Sequence, residues 1–160
     1  MNTIIVYYSM SGNTDWTARA VAERLGAALL RIEPETAYPD SGFKKFFWGG
    51  KSAVMAETPA LKPYEFDPAA WEQVIFGFPV WAGNVTPPLR SFLREQGAAL
   101  QGKRVAAFAC QSGAGAEKAF GKLEALLGRP LDARLILNDP KTKPDAGADE
   151  KLRDFCDRCK

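Results

Sequence analysis

The sequence predicts a doubly wound α/β domain built on a five-stranded parallel sheet with strand order 2-1-3-4-5. Short apolar runs alternate along the chain with segments whose apolar residues recur at helical spacing. Residues 74–78 are apolar or glycine throughout, which is typical of a strand covered on both faces. Strands that alternate with helices are joined by right-handed crossovers, which place helices on both faces of a parallel sheet.

The first half of the chain begins this alternation. A strand is predicted at 4–8, followed by a helix over 14–25 that Gly26 ends. A short second strand is predicted at 28–32. The next connection is too long for a simple loop, so we expect a helix over 43–55, interrupted at two adjacent glycines.

The second half of the chain continues the alternation of strands and helices. Thr86 is expected as the N-cap of a helix with Pro87 at its first position. Residues 138–147 are predicted to form a polar, proline-containing link. A further helix is predicted from an apolar stripe that Gly128 closes, made of Ala119, Phe120, Leu123, Leu126 and Leu127. The remaining predictions are strands at 74–78, 105–109 and 135–137 and helices at 87–96 and 149–159.

Composition limits the classes of protein to consider. With 160 residues, 46% of them hydrophobic, we expect a single domain over 1–160 with a sizeable core. The net charge of +2 gives no argument for nucleic acid or an anionic membrane as a partner. No apolar run reaches the length of a membrane span and no basic leader is visible, so a cytoplasmic protein is expected.

The cysteine and histidine counts narrow the chemistry. The 3 cysteines do not make a disulfide framework. Cys156 and Cys159 share the apolar stripe of the last helix and are predicted to pack in the core. Cys110, at the end of strand four, is interpreted as a small buried residue, with a thiol beside a bound cofactor as the alternative. The sequence has 0 histidines, which removes Ser-His-Asp and Cys-His nucleophiles and the usual zinc ligands. We therefore expect a cofactor to carry any chemistry, with no metal.

A hydroxyl-rich loop joins the first strand to the first helix. Successive backbone N–H groups in such a loop, with the positive end of the following helix, make a phosphate site. The loop contains no cation, so hydrogen bonds and dipoles are expected to hold the phosphate, which suits a monophosphate. The alternative is an ordinary turn with Ser11 or Asn13 as N-cap. The loop consists of Ser9, Met10, Ser11, Gly12, Asn13 and Thr14.

Two further loops are expected beside it. Ligands of doubly wound sheets bind outside the carboxyl ends of the strands, at the point where the strand order reverses, here between strands one and three. The loop after strand three contains Trp81, which is predicted to contact the ligand with its aromatic face; the alternative is a tryptophan of the core or of an interface. This second loop consists of Pro79, Val80, Trp81, Ala82, Gly83 and Asn84, and the third, after strand four, of Gln111, Ser112, Gly113, Ala114 and Gly115.

These three loops together resemble those of the flavodoxin family, over essentially the whole chain. The run at 42–51 and the Pro-Pro-Leu-Arg at 87–90 also resemble a short bacterial branch of that family. The resemblance implies a flavodoxin-like fold and one noncovalently bound FMN, with electron transfer through the flavin as the function. It also implies roles for the loops: the first binds the phosphate, Trp81 stacks on the flavin, and backbone around Gly83 and Asn84 meets the N5 edge. The backbone at Gly113 and Gly115 is implied to approach the pyrimidine end of the ring.

The third loop departs from the family pattern because it has no aromatic residue and no acid. Asp15 is predicted to be the only acid adjoining the three loops, so the two-electron potential should be less negative than that of acidic flavodoxins. The open ring face leaves two kinds of partner: a redox partner protein, or NAD(P)H plus a small acceptor such as a quinone. For the second, Phe47 or Trp48 is a candidate lid, and Lys44, Lys45 and Lys51 are candidate contacts for an anionic co-substrate or a solvated helix face. A flavin-free phosphate-binding or interaction module is the remaining alternative.

Overall fold

A computed structural model describes residues 1–38, 57–143 and 146–160. Within these residues a five-stranded parallel sheet has the order β2-β1-β3-β4-β5, which confirms the predicted fold class. The predicted helix over 43–55, with its lysines and its candidate lid, lies outside the described residues. The strands are β1 Thr3–Tyr7, β2 Ala28–Arg31, β3 Gln73–Pro79, β4 Arg104–Gln111 and β5 Ala133–Asn138. The α-helices that the structure describes are α1 Asn13–Leu25, α2 Pro87–Gln96, α3 Ala116–Leu127 and α4 Ala148–Arg158.

The helix ends follow from glycine and proline chemistry. Gly26 ends α1 at φ 64° and Gly128 ends α3 at φ 71°, the left-handed conformation that favours glycine. Thr86 precedes α2 as predicted, but its hydroxyl makes no capping bond. The first two helical residues, Pro87 and Pro88, have no N–H to donate, and the Leu89 N–H donates to the Thr86 carbonyl at 3.0 Å. Proline at the helix start therefore replaces the side-chain cap.

Each face of the sheet buries its own core. Phe76 and Phe78 of β3 point to one face, where Phe92 of α2 and Phe120 of α3 pack against them. The other face buries a second cluster between β1, β3, β4, β5 and the helices α1 and α4. This division puts the strand ends, and the loops that leave them, between two rigid layers.

The packing corrects one prediction and confirms another. Leu126 is 47% exposed, so it does not belong to the buried stripe of α3; Leu123 and Leu127 do. Cys156 and Cys159 are both buried in the second cluster, as predicted from their spacing. Among the described residues no group of three or more potential metal ligands comes together, and no helix is long and apolar enough to cross a membrane.

Candidate functional site

A cavity of about 530 Å³ opens at the carboxyl ends of β1, β3 and β4. Its volume falls within the range of roughly 300–1,000 Å³ that is usual for small-molecule sites. Predicted residues that line it come from all three loops: Ser11, Asn13, Pro79, Val80, Trp81, Ala82, Ser112 and Gly113. The other predicted residues belong to the same loops without lining the cavity: Ser9, Met10, Gly12, Thr14, Gly83, Asn84, Gln111 and Gly115.

The phosphate loop, residues 9–14, presents its backbone N–H groups. Gly12, at φ 95°, occupies the N-cap position of α1, so the alternative with Ser11 or Asn13 as N-cap is wrong. The side chain of Ser9 caps the first turn of α1 instead, because its Oγ accepts the Asp15 N–H at 3.1 Å. The four N–H groups of residues 11–14 donate no hydrogen bond within the described ranges. The arrangement leaves a row of donors at the positive end of a helix.

Ion pairs support this loop from behind. The Arg31 guanidinium donates to the Ser9 carbonyl at 3.0 Å and lies 3.6 Å from the Asp15 carboxylate. Burial opposes ionisation of Asp15, but hydrogen bonds from Tyr7 and Arg19 outweigh it, so the pKa of Asp15 lies below its usual value. Burial, together with the hydrogen bond to Asp15, raises the pKa of Tyr7 to about 12. Asp15 is therefore a structural carboxylate and does not line the cavity.

One buried hydroxyl of the phosphate loop, that of Thr14, makes no hydrogen bond of good geometry to the described residues, although it lies near enough to the Cys110 thiol to lower the pKa of that thiol. Thr14 is 1% exposed, and its Oγ1 finds no group at hydrogen-bond geometry among the described residues. A buried hydroxyl without a partner costs free energy, on the order of 1–3 kcal/mol. Thr14 is therefore a candidate donor for a bound ligand.

The second loop is a strained turn. Ala82 at φ 51° and Gly83 at φ 69° are its central residues, and the Asn84 N–H donates to the Trp81 carbonyl at 3.0 Å. Positive φ at both central positions is the pattern of a type I′ turn. Alanine rarely adopts this conformation, which costs roughly 1–2 kcal/mol in a residue with a side chain.

Asn84 holds the turn. Its Nδ2 donates to the Ala82 carbonyl at 2.8 Å, and its Oδ1 accepts from the Lys122 ammonium of α3. Burial lowers the pKa of Lys122, and the nearby Lys118 and Arg90 lower it further. A side chain from α3 therefore helps to hold the loop after β3 in its strained form.

Trp81 stands at the cavity wall with aromatic support. Its ring meets Tyr8 edge-on at 5.7 Å between centroids and Tyr38 at 5.3 Å, both at interplanar angles of 85°. Trp81 is half-buried, packs against the core and also lines the cavity, so packing in the core does not exclude a place at the cavity wall. Edge-on neighbours fix the orientation of the indole ring.

Hydrogen bonds between the Gln111 side chain and nearby backbone hold the third loop in its conformation. The Gln111 side chain donates from Nε2 to the Gly113 carbonyl at 3.2 Å and accepts the Ala116 N–H at 3.0 Å. At Gly115, φ 105°, a Cβ would lie 3.1 Å from the Gly83 Cα, so this glycine allows the third loop to pack against the second. Residues 112–114 are exposed.

The acid at the cavity is Asp139, which the sequence does not single out. It follows β5, lines the cavity and accepts a hydrogen bond from Ser112 Oγ at 3.0 Å. The prediction that Asp15 is the only acid adjoining the loops is therefore wrong. Thr142 also lines the cavity, from the segment after β5 that the sequence predicts only as a polar link. The signal that could have found both residues is their position after a parallel strand, at the same edge of the sheet.

Cys110 lines the cavity at the end of β4. Its thiol is 5% exposed and lies 3.4 Å from the Thr17 hydroxyl. Burial raises the pKa of the Cys110 thiol to about 11, against the opposing effect of the neighbouring threonine hydroxyls. The thiol is therefore protonated and unreactive at neutral pH.

Comparison with known families gives this site a context. A family model described as flavodoxin matches residues 2–149, and the chain therefore belongs to the flavodoxin family. The resemblance seen in the three loops is confirmed over nearly the whole chain.

Solved structures agree on the fold. A flavoprotein from Lactobacillus acidophilus NCFM, crystallised in complex with FMN, superposes with a TM-score of 0.73 at 18% identity, covering 93% of this chain and 97% of its own. A protein classed as a flavoprotein from Bacteroides uniformis ATCC 8492 gives 0.75 at 22% identity, covering 95% and 96%. An NADH:FMN oxidoreductase in its apo form gives 0.60 at 16% identity, covering 99% and 89%.

Proposed function

We propose that this chain binds one FMN noncovalently in the cavity at the carboxyl ends of β1, β3 and β4 and transfers electrons through it. The observation that carries the proposal is the row of four N–H groups at residues 11–14 that find no partner in the described part of the chain, next to a cavity with an aromatic wall. The FMN complex of the Lactobacillus acidophilus protein and the membership of the flavodoxin family support the same cofactor. When bound, FMN supplies the reversible uptake of electrons.

The phosphate loop fits the terminal phosphate of FMN. Four N–H groups at a helix start are suited to an oxyanion, and the Thr14 hydroxyl is a further donor nearby. Gly12 keeps the loop free of a side chain at the cap position. The residues present thus fit the group that the family implies.

The second loop fits the ring system. Trp81 offers an aromatic surface whose orientation Tyr8 and Tyr38 hold. The Ala82–Gly83 turn places backbone polar groups next to that surface, and Asn84 fixes the Ala82 carbonyl. In this role the protein binds and orients the ring, and its strained turn keeps those groups in place.

A second candidate function is an NAD(P)H-dependent reductase of quinones or similar small acceptors. The exposed, non-aromatic segment at 112–114 favours it, because that side of the cavity lacks a covering ring among the described residues. The structural likeness to an NADH:FMN oxidoreductase is consistent with this candidate.

Reconstitution tests the proposal. The purified chain, freed of ligand and titrated with FMN, should quench flavin fluorescence at one FMN per chain, and dithionite followed by air should bleach and restore its visible absorbance. A chain that neither binds FMN nor retains it on a desalting column would contradict the proposal and favour a flavin-free module. Oxidation of NADH or NADPH in the presence of a quinone would then identify a reductase. If neither nucleotide is oxidised, the result would favour an electron carrier.

A further inference from the structure

The segment after β5 carries a lysine back to the phosphate loop. Asp139 has φ 39°, a left-handed conformation that turns the chain sharply, and the Lys143 N–H donates to the Asp139 carbonyl at 2.7 Å. The residues between them form a tight turn beside the cavity, where Thr142 is part of the wall. Lys141 lies at the tip of this turn.

Two contacts place Lys141 on the phosphate loop. Its backbone N–H donates to Asn13 Oδ1 at 2.9 Å. Its side chain crosses Gly12, since a Cβ on that glycine would lie 3.0 Å from Lys141 Nζ and 3.4 Å from Cδ. The ammonium therefore lies beside Gly12, one of the four residues whose N–H groups find no partner among the described residues, although the loop itself contains no cation.

The Lys141 ammonium is not neutralised by a carboxylate of the described residues. It forms no ion pair there. The nearest acid in the turn, Asp139, accepts a hydrogen bond from Ser112 and lies 3.9 Å from Lys143 Nζ. An exposed lysine beside a row of free N–H donors is a charge suited to an anion.

We propose that Lys141 is the counter-charge of the cofactor's phosphate and makes this site select FMN over riboflavin. This inference rests on the proposed function. The N–H groups of residues 11–14 supply directional hydrogen bonds, and Lys141 adds the charge that the loop lacks. This proposal adds a cation to the hydrogen bonds and dipoles that the sequence predicts for the phosphate. Because Lys141 is exposed, its contribution should weaken as salt is added.

The test compares Lys141→Met with Lys143→Met, which removes the same charge two residues away. Fluorescence titrations with FMN and with riboflavin, at low and high salt, give the two affinities of each ligand-free protein. For Lys141→Met we expect FMN to bind roughly 10- to 100-fold more weakly, the loss typical of a hydrogen bond to a charged group. Riboflavin affinity should be unchanged, and the salt dependence of FMN binding should flatten. Lys143→Met should resemble the unmodified protein, and Lys141→Arg should restore most of the FMN affinity.

Three results would overturn the inference. Equal weakening of FMN and riboflavin by Lys141→Met would mean a structural role in the turn. If Lys143→Met loses as much FMN affinity as Lys141→Met, the effect would come from the overall positive charge of the turn and not from Lys141 itself. If Lys141→Met binds FMN as well as the unmodified protein does, Lys141 would have no role in binding the phosphate. In each of these the unmodified protein still binds FMN, so the proposed function stands; an unmodified protein that binds no FMN overturns both.

Discussion

The first and second loops leave neighbouring strands and face one cavity, yet they are built differently. In the phosphate loop the side chains of Ser9 and Asn13 and the Ser9 carbonyl are tied to the surrounding protein, which leaves the backbone N–H groups free. In the second loop the backbone itself is strained, and the Asn84 side chain holds it. Under the proposed function, the first loop donates to the phosphate of FMN, and the second holds its conformation beside the flavin ring. Variants of the first loop should therefore weaken the binding of FMN more than that of riboflavin, whereas variants of the second loop should weaken the binding of both equally.

The largest effect is expected from Gly12→Val. Gly12 has φ 95°, and a Cβ there would lie 3.0 Å from Lys141 Nζ, so the substitution strains the cap and displaces the lysine. We expect FMN to bind roughly 30-fold more weakly or worse, because the displaced loop and lysine lose about 2 kcal/mol of hydrogen bonding to the charged phosphate. Riboflavin titrated in parallel should change far less, because it has no phosphate.

Gly102→Val is the matched control for this variant. Gly102 has φ 80° in the turn before β4, at the opposite edge of the sheet, and a Cβ at this position would meet nothing within 4 Å. Both variants should lose similar free energy of unfolding in urea, while only Gly12→Val loses FMN affinity. If FMN and riboflavin weaken together in Gly12→Val, the phosphate binds elsewhere.

The features that the sequence predicts differ from those that it does not predict in how far apart along the chain the contacting residues lie. The five strands and the phosphate loop are encoded locally, in apolar runs and in a glycine and hydroxyls between a strand and a helix. The hydrogen bond from Lys141 to Asn13 joins residues 128 positions apart. No local sequence pattern predicts this bond or the left-handed turn at Asp139 that precedes it. Leu126 fits a helical stripe by spacing, yet it is exposed because the stripe is wider than the surface that α3 covers. Local chemistry was predictable, and contacts made by a returning segment were not.

Trp81→Ala is expected to have a smaller effect than Gly12→Val. The ring lines the cavity and is supported by Tyr8 and Tyr38, so its loss removes an aromatic surface without touching the phosphate loop. FMN and riboflavin should both weaken by about tenfold, the scale of one aromatic stacking contact. The ratio of the two affinities should therefore stay constant, and Trp81→Phe should recover most of the loss. A change in FMN affinity alone would show that Trp81 acts on the phosphate end.

Lys122→Met should give a smaller effect, through the second loop. It removes the donor to Asn84 Oδ1 and so loosens the side chain that holds the Ala82 carbonyl. We expect both flavins to bind about threefold more weakly, as for loss of one net hydrogen bond. The midpoint potential of the bound flavin should also shift, because polar backbone beside the ring is less firmly held.

Lys118→Met separates this positioning role from charge. Lys118 lies one helical turn from Lys122, and its Cδ would lie 3.0 Å from a Cβ on Gly83, but it does not bond Asn84. Spectroelectrochemical titration should show a shift in Lys122→Met beyond that in Lys118→Met. Equal shifts in the two variants would assign the effect to charge alone.

The smallest effect is expected behind the phosphate loop, from Asp15→Asn. The pKa of Asp15 is lower in the folded chain than its usual value of 3.8, so ionised Asp15 stabilises the fold above that value. This contribution is lost as the pH falls through the lower, folded-state pKa, where the carboxyl becomes neutral. The pair with Arg19 is largely exposed, so we expect Asp15→Asn to lower the free energy of unfolding by only about 0.5–1 kcal/mol at pH 7. Urea denaturation of the ligand-free proteins should show that the difference narrows towards pH 3. A difference that is constant with pH would mean that Asp15 supports the loop through its hydrogen bonds and not through its charge.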